Sequence, residues 1–411
     1  MDSSPSGDLT SGVPMSTTAP TPEVMHGAGW TPSVTLSESL PKKWLGGAGW
    51  VIPPDTSGPA ANSVYSMKTT IGVLSYSSAN TDAAFTTYDK NGVVIAKSPA
   101  PVELSSNGLA APYIAVASSG GKSYLIVVQS GTFVPDPTST KSAGKGAVLT
   151  SFDVATGKLV THAVIDNNQP INSTGNQALF TYGQSGDQSM DTATHNIFNP
   201  ETGKTDTVTD AKWLGRFDGV DVTAPKKDFY NNYGPIVGQG WTVETAAIGD
   251  TDGGLPSAGK YLNLRILEPN GNTNTCETID VHTGKPISIE PQLNKLCMYP
   301  VGANLAPYFG VLEYENGYGA NVTFANPETG KVVQIDASDT FKAGFIGADG
   351  IVYGMSSAVQ GTSTPAYLDL NDGTPKTLGD TTTLGPIAVS GDGTAVFQTA
   401  EGLAFINPVG Q

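Results

Sequence analysis

The chain has 411 residues, of which 14% are charged and 38% hydrophobic, with 49 glycines and 29 prolines. That composition excludes coiled coils and long-helix proteins, and its apolar residues come in short Val/Ile/Tyr/Phe runs divided by Gly, Pro, Asn and Asp, as all-β folds require. Against 21 basic residues stand 37 acidic ones, a net charge of −16, whose field repels both a nucleic-acid backbone and an anionic lipid surface.

Residues 1–30 are polar and rich in Ser, Thr and Pro. Such a stretch cannot bury a core and is expected to be a disordered tether. It has the character of what remains when a signal or lipoprotein leader is removed and a start Met added. The expected location is therefore extracellular or at the cell envelope, with a lipid anchor on the full-length precursor. No run approaches the roughly 18 apolar residues of a transmembrane segment.

Residues 31–411 read as a single domain of repeats. The segment 33–37 (Ser-Val-Thr-Leu-Ser) has strand alternation and precedes the first complete repeat. From there a phrase recurs: an apolar residue, Asp or Asn, a few variable residues, and Gly, usually followed by Lys. Its copies are Tyr88-Asp89 to Gly92, Phe152-Asp153 to Gly157, Phe198-Asn199 to Gly203, Ile279-Asp280 to Gly284, Ala325-Asn326 to Gly330, Leu368-Asp369 to Gly373 and Ile406-Asn407 to Gly410. Each is a tight turn between two strands: the Asp or Asn side chain folds back onto following amides, and Gly supplies the positive φ. A second turn, Gly120-Gly121, Asp349-Gly350 or Asp392-Gly393, precedes some copies. Together they give four strands per unit, one propeller blade.

Most copies recur about every 40–50 residues, as propeller blades do. The widest gap holds a large insertion, or an extra blade, between Trp213 and Cys276. The expectation is a seven-bladed β-propeller, with eight as the alternative. The last copy stops at its third strand, so residues 33–37 are expected to supply the fourth and leave no open edge.

The phrase resembles that of quinoprotein-like (PQQ-repeat) and WD40/YVTN-type propellers. Quinoprotein repeats place a Trp shortly after Gly-Lys, where this chain has Val160-Thr161, Thr205-Asp206 and Val332-Val333, so the resemblance implies the fold and not a bound quinone. With its leader, the chain is similar to propeller lipoproteins of Gram-positive, especially actinobacterial, cell surfaces.

The insertion, around 213–276, carries Trp213, Arg216, Phe229, Tyr230, Tyr233 and Trp241. Aromatic residues and Arg are enriched at binding hot spots, which makes these six the candidate partner contacts. Asp250 and Asp252 lie one residue apart in a Gly-rich loop and form a candidate calcium site, without the distal Glu of an EF-hand; no other cofactor is expected. Cys276 and Cys297 are the only cysteines, and their disulfide would close a loop of about 20 residues, stabilising by roughly 3 kcal/mol. None of His26, His162, His195 and His282 shares a metal-ligand spacing with another, and neither a Gly-x-Ser-x-Gly elbow nor a Walker loop is present.

The function expected is a monomeric binding or scaffolding propeller at the cell surface, contacting a protein or glycan. The alternative is an enzyme, a lyase, lactonase or glycosidase, with inner-strand acids at the central channel; Asp218 and Asp221 are the best candidates.

Overall fold

The computed structural model describes residues 24–26, 44, 46–53, 61–76, 83–134, 144–166, 171–172, 180–182, 195–209, 211–225, 233–247, 255–267, 274–287, 299–300, 309–315, 318–335, 341–357, 363–370, 375–377 and 385–410. All regular structure among them is β. The first sheet runs Ala61–Ser66, Ile71–Tyr76, Ala84–Tyr88, Val94–Lys97, each strand antiparallel to the next. The second repeats this with Tyr113–Ser119, Lys122–Phe133, Gly144–Asp153 and Leu159–Asp166. The third uses Ile171–Asn172, Phe180–Tyr182, His195–Phe198 and Thr205–Val208.

The fourth sheet has seven strands. Ala211–Phe217, Val220–Pro225, Tyr233–Gly238 and Trp241–Ala247 form one antiparallel meander, and Ser257–Ala258, Tyr261–Leu267 and Asn274–Asp280 a second. The two meet through one residue pair, Ala246 opposite Ile266. The fifth sheet is Tyr299–Pro300, Phe309–Glu315, Tyr318–Asn326, Lys331–Gln334, and the sixth Phe341–Ile346, Ile351–Ser357, Ser363–Asp369, Pro375–Thr377. In the seventh, Ala388–Val389, Ala395–Thr399 and Gly402–Ile406 are extended by Gly49–Ile52 and then Val24–His26. Successive antiparallel meanders of this kind are β-propeller architecture.

The turn phrase works as its chemistry predicts. In the second sheet Asp153 Oδ1 accepts from the Thr156 amide at 2.9 Å, and Thr156 Oγ1 from the Lys158 amide at 3.4 Å. Asn199 and Asn326 accept at Oδ1 from the amides two and three residues on, and Asp280 from the amide two on, while Thr202, Thr283 and Thr329 use the same hydroxyl. The final Gly adopts φ between 63° and 71° at Gly157, Gly203, Gly284 and Gly330, a conformation that costs a side-chain-bearing residue most.

Three of these turns are also gripped by a neighbouring strand. Thr87 Oγ1, in the first sheet, donates to Gly157 O at 2.7 Å; Ser151 Oγ, in the second, to Pro200 O at 2.6 Å; and Trp241 Nε1 to Val281 O at 2.6 Å. Apolar faces do the rest. Leu74 and Phe85 pack on Leu125 and Phe152, Leu149 on Phe198, Ile197 on Trp213, and Leu214 and Ile236 on Leu262 and Ile279. Tyr261 then meets Ala325, Phe324 meets Phe341, Tyr353 meets Phe397, and Phe405 meets Ile71 and Tyr88.

Two expectations need revision or lie out of view. The strand paired with Gly402–Ile406 is Gly49–Ile52, while residues 33–37 lie outside the described residues. Gly49–Ile52 is buried at every position, so it carries none of the alternation by which a closing strand was sought. Residues 24–26, inside the expected tether, form a strand on Gly49–Ile52. The stretch around 213–276, read as an insertion or an extra blade, carries regular antiparallel strands.

Candidate functional site

The hairpin joining Ala211–Phe217 to Val220–Pro225 is an Asp-Gly turn, and Asp218 in it has φ 45, the only positive φ among described non-glycine residues. Asp tolerates this region better than most residues, yet it is still strained. The surroundings hold it there. The Asp218 amide donates to Ser118 Oγ at 2.9 Å, its Oδ1 accepts from the Gly121 amide at 2.6 Å, and its Oδ2 lies 2.8 Å from His282 Nε2. Asp218 thereby ties the second sheet to both meanders of the fourth.

Three to five residues back, a β-bulge between Trp213 and Gly215 shifts the register against Val220–Pro225. Bulges re-aim side chains, and here Trp213 and Arg216 both reach Asp221. Arg216 Nε and Nη2 bond its two carboxylate oxygens at 2.9 and 2.8 Å, while Trp213 Nε1 adds a bond of 3.0 Å to Oδ1. Arg216 Nη1 reaches across to Asp206 Oδ2, in the third sheet, at 2.5 Å. This is a forked, charge-assisted arrangement. Burial works against the Arg216 charge, but its bonds to Asp221 and Asp206 outweigh that and raise its pKa.

A half-open cleft of about 140 Å³ lies over this ion pair, lined by Ser118, Ser119, Asn199, Asp206, Arg216 and Gly219 among others. The Arg216 side chain is 11% exposed and that of Asp206 49%, so the acid forms the rim and the guanidinium the floor.

Of the six predicted contacts, the structure brings Arg216 alone into this cleft, with Trp213 bonded to the Asp221 carboxylate that Arg216 shares. Trp213 is 5% exposed and offers no open aromatic face; it fixes Asp221 and packs on Ile197. Trp241 lies elsewhere, half-buried over Gly284 with its N–H on Val281. Phe229, Tyr230, the Tyr233 side chain, Asp250, Asp252 and Cys297 lie outside the described residues. Cys276 is 3% exposed, and no free cysteine occurs among the described residues. Nor does any group of three or more His, Cys, Asp or Glu among them form a metal cage.

Sequence reasoning missed Asp206, Ser118 and Ser119 in the cleft and His282 in the clasp. His282 was visible inside a repeat turn and Asp206 just after one; nothing local marked them as partners of the Asp218 hairpin.

A second polar cluster lies in the second sheet. His162 Nδ1 is 3.0 Å from Thr150 Oγ1, and its Nε2 is 3.7 Å from Glu103 Oε1. Burial raises the Glu103 pKa, but the adjacent His162 and the residue's own backbone amide outweigh it and leave a net lowering.

No protein-family model and no curated protein matches the sequence. Among solved structures, the chain is similar to the β-propeller domain of the trilobed protease from Pyrococcus furiosus, at 12% identity and TM-score 0.36, over 78% of this chain and 96% of that one. It is similar to a prolyl endopeptidase at 14% identity and TM-score 0.38, over 82% of this chain and 52% of that one. TolB from Acinetobacter baumannii matches at 12% identity and TM-score 0.26, over 86% of this chain and 80% of that one. Likenesses this distant carry no activity across.

Proposed function

We propose that the chain is a closed, eight-bladed β-propeller acting outside the cytoplasm as a binding or scaffolding module. Eight blades follow when the fourth sheet is counted as two, divided at the lone Ala246–Ile266 pair; the presumed insertion around 213–276 then contributes a blade of its own. Closure is supported by Gly49–Ile52 beside Gly402–Ile406, and by Gly391 N bonding Met67 O at 3.2 Å between the last and first sheets.

The same proposal holds a lipid-anchored precursor with a Ser/Thr/Pro tether, a Cys276–Cys297 disulfide, kinship with quinoprotein-like repeats without a quinone, and a calcium ion at Asp250 and Asp252. The chain acts as a monomer, and its partner is a surface protein or glycan.

The observation that carries a binding role is the commitment of Asp206 and Asp221 to one guanidinium. A catalytic acid or base must be within hydrogen-bond reach of the proton it moves, whereas Asp221 spends both carboxylate oxygens on Arg216 and Trp213 and Asp206 spends one of its own on Arg216. A rigid polar cleft suits recognition better than turnover by a lyase, lactonase or glycosidase. The test is sedimentation of the purified chain with Gram-positive cell-wall material. Saturable co-sedimentation without release of soluble fragments is expected; a chain left in the supernatant, or fragment release, overturns the reading.

A further inference from the structure

Resting on that binding role, we infer that the cleft over Arg216 holds one neutral sugar ring of a surface glycan, gripped through two neighbouring hydroxyls. Charge narrows the choice first. An anion entering the cleft meets the Asp206 carboxylate at its rim, and a cation meets the Arg216 guanidinium at its floor. Each is repelled by one half of the pair, while a neutral polyol is repelled by neither.

Hydrogen bonding narrows it further. A guanidinium has five N–H donors; Arg216 uses one each on Nε, Nη1 and Nη2, toward Asp221 and Asp206. Among the described residues, two of its N–H groups have no hydrogen-bond acceptor, one on each Nη. Asp206 engages Oδ2 with Arg216 and leaves Oδ1 as an acceptor at a half-exposed rim. A donor and an acceptor therefore stand side by side on one rigid ion pair. Adjacent hydroxyls on a ring, each able to donate and accept, match that pattern; an ammonium or a carboxylate matches only half of it. Ser119, from the second sheet, also lines the cleft beside Gly219, and its hydroxyl is a further hydrogen-bonding group there.

Size agrees. The cleft measures about 140 Å³ and is half-open; a closed cavity of about 150 Å³ takes benzene, half the heavy atoms of a hexose, so one edge of the ring enters and the other faces solvent. The walls are set before any ligand arrives, because Asp218 beside Gly219 is fixed to the second sheet and to His282. Strain retained next to a cleft is a recurrent mark of a functional site.

The test uses saturation-transfer NMR on the whole chain with methyl glycosides of glucose, galactose, mannose and N-acetylglucosamine, and with Nα-acetyl-lysine amide for comparison. Transfer to at least one glycoside is expected, reduced at least tenfold in Asp206→Ala and in the cleft-filling Ser119→Tyr, and unchanged in Glu401→Gln, an equal loss of charge at an exposed turn. Two variants from different sheets guard against misfolding of either, and each is checked for an unaltered melting curve. Transfer to the lysine probe alone, no transfer to any glycoside, or transfer indifferent to both cleft variants overturns the inference. Cell-wall sedimentation run in parallel separates the two levels. Retention of wild type and both variants alike sinks the cleft and spares the module, whereas no sedimentation of wild type sinks the module itself.

Discussion

His282 Nε2 lies 2.8 Å from Asp218 Oδ2, joining residues 64 apart in sequence from two meanders of the fourth sheet. The same carboxylate accepts the Gly121 amide of the second sheet, so one strained residue clasps three parts of the propeller. Asp218→Ala removes both acceptors and keeps a Cβ at positive φ; it should lower unfolding stability by about 2–3 kcal/mol. Asp218→Asn keeps an acceptor and a residue type at home in this region, and should lose about 1 kcal/mol. His282→Ala should lose less than about 1 kcal/mol, because the 43% exposed imidazole is screened by solvent. Urea titration of the three variants checks the order. If Asn proves as damaging as Ala, the clasp is not what fixes the hairpin.

The repeat turns were legible in sequence because their chemistry is local: an Asp or Asn and a Gly mark every copy, and four of the seven add a Thr at a fixed offset. The meander 211–247 escaped that reading because its outer turn is the two-residue Gln239-Gly240, with Gly238 opposite Trp241, and such a loop needs no Asp or Thr. Gly49–Ile52 escaped for the opposite reason. Buried at every position, it has no alternation, and a short apolar run is ambiguous from sequence alone. The cleft was legible only in part. Arg216 stood out, but its partner Asp206 belongs to another sheet, and the Trp213–Gly215 bulge that aims Arg216 is set by tertiary register.

The turn glycines should not be equally sensitive. A Cβ on Gly284 would sit 2.4 Å from Trp241 Cγ, whereas one on Gly203 would lie 3.4 Å from Thr161 Cβ. Both have positive φ, 63 and 69, so both Ala variants carry the backbone penalty of about 1 kcal/mol. Gly284→Ala must also displace a half-buried indole that is hydrogen-bonded to Val281, and should lose about 2–4 kcal/mol in all. Thermal or urea unfolding of the pair gives the comparison, and equal losses would remove Trp241 from the account of sheet docking.

Acid should weaken the fold through Glu103. Its folded pKa lies below the ordinary 4.5 despite burial, because His162 stands beside it. A depressed carboxyl stabilises the fold above its unfolded pKa, and that contribution is lost as pH falls through the folded value. Asp280, lowered by Lys260 and the His282 amide against burial that raises it, acts in the same direction below 3.8. Stability measured from pH 6 to pH 2 should therefore decline from about pH 4.5 downward, and more shallowly in Glu103→Gln. An unchanged acid limb in that variant would mean the pair with His162 contributes nothing.

The junction of the chain's two ends supplies the most demanding prediction. Trp50 is fully buried and stacks on Phe405 with ring centroids 3.7 Å apart and planes at 10°. Its other neighbours belong to the first sheet: the Tyr88 ring at 5.0 Å, and Gly92, where an added Cβ would come within 3.1 Å of the indole. Replacing it by Ala empties a site walled by the last sheet and the first, and a buried Trp→Ala change costs about 3–5 kcal/mol. The loss should fall on the junction before the rest of the molecule. In Trp50→Ala, amides of Gly49–Ile52 and Gly402–Ile406 should exchange hydrogen faster, while those of Leu149–Phe152, deep in the second sheet, keep most of their protection. The freed edge of Gly402–Ile406 would then be open to pairing with other chains, so concentration-dependent aggregation should accompany the faster exchange. Uniform acceleration across all sheets would instead show that the junction opens only when the whole propeller does.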